Sequence, residues 1–231
     1  SATVSRTITV AVEEVELPAP LPAPPTPLVG RGRDLDLLCR RLVGHQGRLL
    51  TLTGAPGVGK TRLALEVAHQ LAPLYTHGAS FIDLSAVERV ADVPTTLELA
   101  FGLELGRNEP LPQVIAHLRR KQMLVVLDNL EQLLPAAPMV SELLAACPGV
   151  RILATSRQRL RLRQEQRFAI APLALDDAVE LFAACVAASN PEVHLLPTEQ
   201  ATVAQICREL DCLPLAIELC AAHVSVYPPE T

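Results

Sequence analysis

Aromatic side chains are scarce in this chain: two Tyr, four Phe and no Trp among 231 residues. Proteins that hold single-stranded nucleic acid stack its bases on aromatic rings, and this sequence offers few such platforms. Positive charge does not prevail either. Twenty Lys and Arg stand against 25 Asp and Glu, a net charge of -5, which argues against direct nucleic-acid contact by this segment. No apolar run approaches the length of a membrane span, so no membrane partner is expected. The six cysteines, Cys39, Cys147, Cys185, Cys207, Cys212 and Cys220, form no C-x-x-C pair, and the six histidines form no H-x-x-x-H pair. The usual metal spacings are therefore missing. Most of the cysteines fall in apolar helical stretches, where Cys behaves as a small buried hydrophobe, and they read as reduced thiols of a cytoplasmic protein. No signal peptide opens the chain, and Ser1-Ala2 is unlike a natural start.

What is abundant is aliphatic. Hydrophobic residues make up 49% of the sequence, dominated by Leu, Val and Ala, a composition that suits helices packed on a parallel sheet. Residues 3–16 alternate polar with Ile8, Val10, Val12 and Val15, as a half-buried strand does. This strand could be the tail of a preceding domain, and a disordered leader fits equally well. Pro18, Pro20, Pro22, Pro24, Pro25 and Pro27 follow, which predicts a stiff extended linker. Then come a helix with Leu35, Leu38 and Leu42 on one face, a strand at 49–53 and a helix from Arg62 to about Ala72. Further strands are expected at 79–85, 121–129, 150–157 and 167–173, with helices at 92–105, 110–120 and 138–146 between them. Alternation of this kind implies an α/β fold with a five-stranded parallel sheet covered on both faces. From Leu175 the pattern is purely helical, at 176–189, 198–210 and 214–226, which predicts a small helical subdomain.

The most specific signal is Gly54-Ala55-Pro56-Gly57-Val58-Gly59-Lys60-Thr61, a G-x-x-x-x-G-K-T run between an apolar strand and a helix. Glycines let successive backbone N–H groups point inward around phosphate oxygens. The following helix turns its positive end to the same anion. Gly54, Pro56, Gly57, Val58, Gly59, Lys60, Thr61 and Arg62 are thus candidate phosphate contacts. Lys60 would reach the β- and γ-phosphates, and Thr61 would ligate Mg²⁺. Asp128 ends the apolar run Leu124-Val125-Val126-Leu127, which puts a carboxylate at the carboxyl end of a buried strand, where open α/β sheets carry ligands. It is the candidate second Mg²⁺ ligand.

Asn129 stands where many ATPases have a second acid, and an amide can orient water but cannot take its proton. Slow hydrolysis is expected, with Glu131 a substitute two residues on. Arg157, ending the next strand after Thr155-Ser156, could touch the γ-phosphate and so distinguish ATP from ADP. The cluster Arg151, Arg157, Arg159, Arg161, Arg163 and Arg167 reads either as an anion-facing patch or as a solvated loop and strand edge.

Together, Leu28-Val29-Gly30-Arg31, the phosphate loop, Leu127-Asp128-Asn129, Thr155-Ser156-Arg157 and Leu213-Pro214-Leu215-Ala216 occur in the order seen in STAND-class signalling ATPases. Over residues 26–226 the chain resembles NB-ARC-like modules, above all those of large bacterial regulators of LuxR or antibiotic-regulatory type. The resemblance implies a linker at 1–27, a nucleotide-binding domain at 28–173 and a helical lid at 174–231. It implies that Val29, Gly30 and Arg31 frame adenine, that Arg157 senses the γ-phosphate and that Pro214 closes over the base. It also implies ATP, ADP and Mg²⁺ as ligands, other domains of the same protein as partners, and an ATP-dependent homo-oligomer. A winged-helix domain with a histidine for the ADP β-phosphate would follow Thr231. Cys212 departs from the usual glycine before Leu-Pro-Leu, so the turn there is expected to differ slightly. Two rivals share the phosphate loop. A loader-type AAA+ ATPase would want an acid at 129 and an arginine in the last lid helix, and 214–226 has none. A small-molecule kinase would need an arginine-rich acceptor lid, for which residues 157–167 are the only candidate.

Overall fold

The computed structural model describes residues 18–23, 27–44, 47–105, 109–189 and 199–224. The strand expected within 3–16 and the middle of the proline segment lie outside these residues. Helix α1 (Gly32–Val43) buries Leu38, Cys39 and Leu42, the stripe that its apolar spacing requires. Strand β1 (Leu49–Thr53) runs into α2 (Lys60–Leu71), and β2 (Ala79–Asp83) follows. Helices α3 (Val93–Ala100) and α4 (Pro110–Leu118) lead to β3 (Met123–Asp128), and α5 (Ala137–Ala146) to β4 (Val150–Ser156) and β5 (Glu165–Ala169). Helices α6 (Leu175–Ser189), α7 (Gln200–Glu209) and α8 (Pro214–Val224) complete the series.

The five strands form one sheet in the order β2-β3-β4-β1-β5, and every pair is parallel. This is the α/β architecture that the alternating pattern demanded, with a P-loop NTPase arrangement. Strand side chains alternate between two cores. Leu49, Val125, Leu127 and Ile152 meet α3, α4 and α5 on one face. Leu50, Leu52, Val126 and Leu153 meet α1 and α2 on the other. A third core, with Phe182, Val203, Cys207 and Ile217, joins α6, α7 and α8 to each other.

From β1 the chain crosses to β2 at the far edge, whereas from β4 it crosses the opposite way to β5. Because β1 and β4 are neighbours, these diverging connections open a crevice at their carboxyl ends. Parallel register brings Thr53 level with Ser156 there, and Asp83 level with Asp128.

Several boundaries differ from expectation. Helix α3 stops at Ala100 rather than 105, because Gly102 takes φ +66° and the bonds Gly102 N–H to Leu99 O and Leu103 N–H to Glu98 O close a Schellman cap. Helix α2 starts at Lys60 rather than Arg62, so Lys60 and Thr61 occupy its first turn. Strand β5 starts earlier and ends at Ala169 instead of 173.

Leu153 is fully buried in the middle of the sheet. Leu153→Ala is expected to cost about 2–5 kcal/mol, the range for a core leucine whose cavity does not collapse. Urea unfolding of the two proteins measures it.

Candidate functional site

The crevice holds a cavity of about 450 Å³. Its floor is the loop between β1 and α2. Gly57 and Gly59 hold φ of +74° and +95°, left-handed conformations that turn the loop around its own centre. Lys60, 8% exposed, lies within the loop and donates to the carbonyls of Gly54 and Ala55, each at 3.1 Å. Burial lowers its pKa, Glu131 and Asp128 act to raise it, and Arg157 adds to the lowering. The ammonium is thereby pre-positioned over the loop.

Thr61 Oγ1 lies 2.9 Å from both carboxylate oxygens of Asp128. Thr155 Oγ1 donates to Asp128 Oδ1 and accepts the main-chain N–H of Asn129 at 2.9 Å. Burial raises the Asp128 pKa, the Thr155 and Thr61 hydroxyls oppose that rise, and the charges of Asp83 and Glu131 add to it. Asn129 itself takes a left-handed φ of 65°. Its Nδ2 donates to Asp83 Oδ1 at 3.1 Å and Asp128 Oδ2 at 3.0 Å, bridging two carboxylates. Burial tends to raise Asp83, but the Ser85 main-chain N–H, the Asn129 amide and the Ser85 hydroxyl outweigh it, leaving its pKa below the ordinary value.

Of the residues singled out in the sequence, Val29, Arg31, Pro56, Gly57, Val58, Gly59, Lys60, Thr61, Arg62, Asn129, Arg157 and Pro214 line this one cavity. Gly30, Gly54 and Asp128 are not among the residues that line it. Gly30, at φ +69°, leaves no room for a side chain: a Cβ there would lie 2.5 Å from Asp177 at the start of α6. Arg31 is 7% exposed and fully engaged, donating to Ala171 O at 2.7 Å and Val58 O at 3.2 Å beside its ion pair with Asp34. It ties the entry segment to the phosphate loop. Arg157 does not reach freely into the cavity, since its Nε pairs with Glu131 Oε1 at 3.0 Å.

The C-terminal helices close the cavity. Leu215 N–H, in the first turn of α8, donates to the Gly57 carbonyl at 3.1 Å. A Cβ on Gly57 would lie 3.0 Å from the Leu215 Cβ, and the φ of +74° already strains any other residue, so the loop favours glycine under this helix. Cys212 adopts φ +50°, the left-handed form that glycine favours, and Asp211 does likewise. The turn into α8 thus keeps a glycine-like backbone without the glycine. The sequence assigned no role to Asp83, Leu215 or Glu218, although Leu215 lies within the Leu213–Ala216 motif. Asp83 was findable as an acid ending a parallel strand. The contacts of the two α8 residues left no local signal, because they depend on where the helix docks. Glu218 also lines the cavity, and burial raises its pKa while Arg62 lowers it.

Phosphate fits this site: a loop of left-handed glycines, a helix N-terminus and a buried lysine converge on one cavity. Mg²⁺ fits as well. Among the described residues no group of three or more His, Cys, Asp or Glu could hold a metal, and Mg²⁺ needs only one or two protein oxygens when phosphates and waters complete its shell. Thr61 and Asp128 offer that pair.

Fold and site together define a P-loop nucleotide-binding module. The chain belongs to the AAA domain family, which matches it over residues 41–170. A putative HTH-type transcriptional regulator of Mycobacterium tuberculosis is 41% identical over 190 residues, covering 80% of this chain and 21% of that protein. An uncharacterized protein of Mycobacterium bovis is 36% identical over 204 residues, covering 87% of this chain and 51% of that one. The regulatory protein AfsR of Streptomyces griseus is 28% identical over 209 residues, covering 85% and 20%. The chain therefore spans from a fifth to a half of the length of these relatives. Similar folds occur in a STAND protein with a tetratricopeptide repeat sensor from Pyrococcus horikoshii (TM-score 0.53, 15% identity, covering 84% of this chain and 30% of that one). The S. cerevisiae Hsp104–ADP complex is another (TM-score 0.60, 16% identity, covering 87% and 31%). Among the described residues no helix is long and apolar enough to cross a membrane.

An acid whose native pKa is raised holds its proton more tightly folded than unfolded. Asp128 therefore favours folding below the ordinary carboxylate pKa, and that contribution is lost as pH rises through the native value. Thr155→Val removes a donor to the charged form and is expected to raise the Asp128 pKa further. Stability at pH 7 should fall by about 1–3 kcal/mol. The gap to the wild type should narrow at acid pH, where both carboxyls are protonated, as urea unfolding at a series of pH values will measure.

Proposed function

We propose that this chain is the ATP/ADP switch of a larger signalling or transcriptional regulator, with slow Mg²⁺-dependent hydrolysis resetting its state. The observation that carries this reading is the hydrogen bond from Leu215 N–H to Gly57 O, because it seats a C-terminal helix on the phosphate loop itself. A ligand held by the loop then alters the balance between seated and unseated helix to the extent that its affinity differs between the two states.

In this reading residues 28–173 are the nucleotide-binding domain and 174–231 the lid. Backbone N–H groups of Gly57, Val58 and Gly59, with Lys60, hold the phosphates. Thr61 and Asp128 hold Mg²⁺, which would neutralise charge developing between the β- and γ-phosphates. Val29 and Pro214 supply apolar surface to the base, and Arg31 fixes the segment that carries Val29. The regulator relatives support a role in transcription control, and other domains of the same protein are the proposed partners, with self-association in the ATP state. The Asn129 amide bridging Asp83 and Asp128 supports slow turnover, since it occupies the place of an acid without being able to accept a proton.

A nucleotide that binds only the native protein must raise its melting temperature. ATP-Mg²⁺ and ADP are each expected to stabilise the wild type, and Lys60→Ala should abolish both shifts; undiminished shifts would put the site elsewhere. Steady hydrolysis should stay below about one turnover per second, at the slow end of enzyme rates. A faster rate would contradict the reset-switch reading.

A further inference from the structure

Asn129 cannot be the base, so hydrolysis at this site needs a carboxylate from elsewhere. Asp128 is 1% exposed, and its two oxygens are met by Thr61, Thr155 and Asn129. Asp83 is committed to Ser85 and Asn129. Glu218 reaches the cavity from α8, on the side of Arg62. Glu131 is different. It lies in the 3-10 turn Leu130–Gln132 directly after the left-handed Asn129, and it lines the cavity with Lys60, Thr61 and Arg157. Its side chain is 12% exposed. Oε1 accepts from Arg157 Nε at 3.0 Å, whereas Oε2 is buried and has no hydrogen-bond partner among the described residues.

A buried carboxylate oxygen without a donor is costly, and turning the side chain into the cavity that Glu131 lines would relieve it by bringing Oε2 within reach of a donor there. A water at the phosphate end of the site is such a donor. We propose that Glu131 is the general base of ATP hydrolysis in this chain, and that its pairing with Arg157 restrains it until a γ-phosphate draws the arginine away. The inference rests on the nucleotide reading above and deepens it.

In the step itself, Glu131 Oε2 takes a proton from water while the water oxygen bonds to the γ-phosphorus. The bond from that phosphorus to the bridging oxygen breaks, and its electron pair leaves with ADP. Inorganic phosphate departs and Glu131 returns its proton to solvent. Arg157 is 59% exposed, so its pair with Glu131 is easily exchanged for a more highly charged partner. The restraint therefore distinguishes ATP from ADP: only a nucleotide with a γ-phosphate competes for the guanidinium. Asn129 has a supporting part, since its Nδ2 keeps Asp83 and Asp128 together without adding a third negative charge.

Glu131→Gln tests this on the whole chain. It should lower turnover by about 100-fold or more, the usual contribution of a general base, and leave the ATP-Mg²⁺ melting shift in place. Protein incubated with ATP, then denatured and analysed by chromatography, should release ATP from Glu131→Gln where the wild type releases ADP. With Arg157 freed, ATP should bind the variant a few-fold more tightly relative to ADP than it binds the wild type. Adding Asn129→Asp to Glu131→Gln should not restore turnover, because the new acid would lie against Asp83 and Asp128. Glu131→Asp, which keeps a shorter carboxylate, should bind ATP and fall between the two. Undiminished turnover in Glu131→Gln, its recovery on adding Asn129→Asp, or a wild type that binds ATP and leaves it intact would each overturn the proposal. A wild type that ATP and ADP fail to stabilise would instead overturn the nucleotide reading on which it rests.

Discussion

Burying the Asp128 carboxylate at the end of β3 is tolerable only because donors meet it from three directions. Thr61 comes from the first turn of α2, Thr155 from β4 and the Asn129 amide from the residue that follows. An unpaired charge at 1% exposure would be too costly to hold. Each donor therefore fixes the element it belongs to, and the phosphate-loop helix, the neighbouring strand and the left-handed turn after β3 are all set by one charge. Glu131 reaches the cavity because that turn follows Asn129 at once.

The phosphate loop imposes a second constraint, felt on the opposite side. Its left-handed glycines leave the Gly57 carbonyl facing outward, where the Leu215 N–H meets it. A helix N-terminus has unsatisfied donors, and here one of them is satisfied by the loop rather than by a capping side chain. Val29 packs into the core of α6, α7 and α8, while Leu28, beside it, packs into the sheet's. Arg31 then holds the same segment to Val58 and Ala171. The loop, the entry segment and the C-terminal helices thus share their supports, and a change in any one of them reaches the others.

Much of this was legible in the chain. The five strands, the helices between them and the all-helical end followed from apolar spacing, because burial on one face of a helix or both faces of a strand leaves a period in the sequence. The missed boundary of α3 had a local cause, the Gly102 cap, which sits inside an otherwise helical pattern. The phosphate loop and Asp128 were legible because their chemistry needs particular residues at fixed spacing. The roles of Asp83 and Leu215 were not, since one matters through strand register and the other through where its helix docks.

The sequence by itself determined the element types, the parallel α/β class, the phosphate loop and the acid at the end of β3. All of these are set by interactions within a few residues or by periodic burial. Tertiary structure alone decided the partners. Arg31 meets Ala171 across 140 positions, and Arg157 meets Glu131 across 26. No local pattern specifies such pairs, because each depends on strand order and on which donors and acceptors remain unsatisfied once the sheet has closed. The same rule left Asn129 bridging two carboxylates and Glu131 with one buried oxygen unpaired.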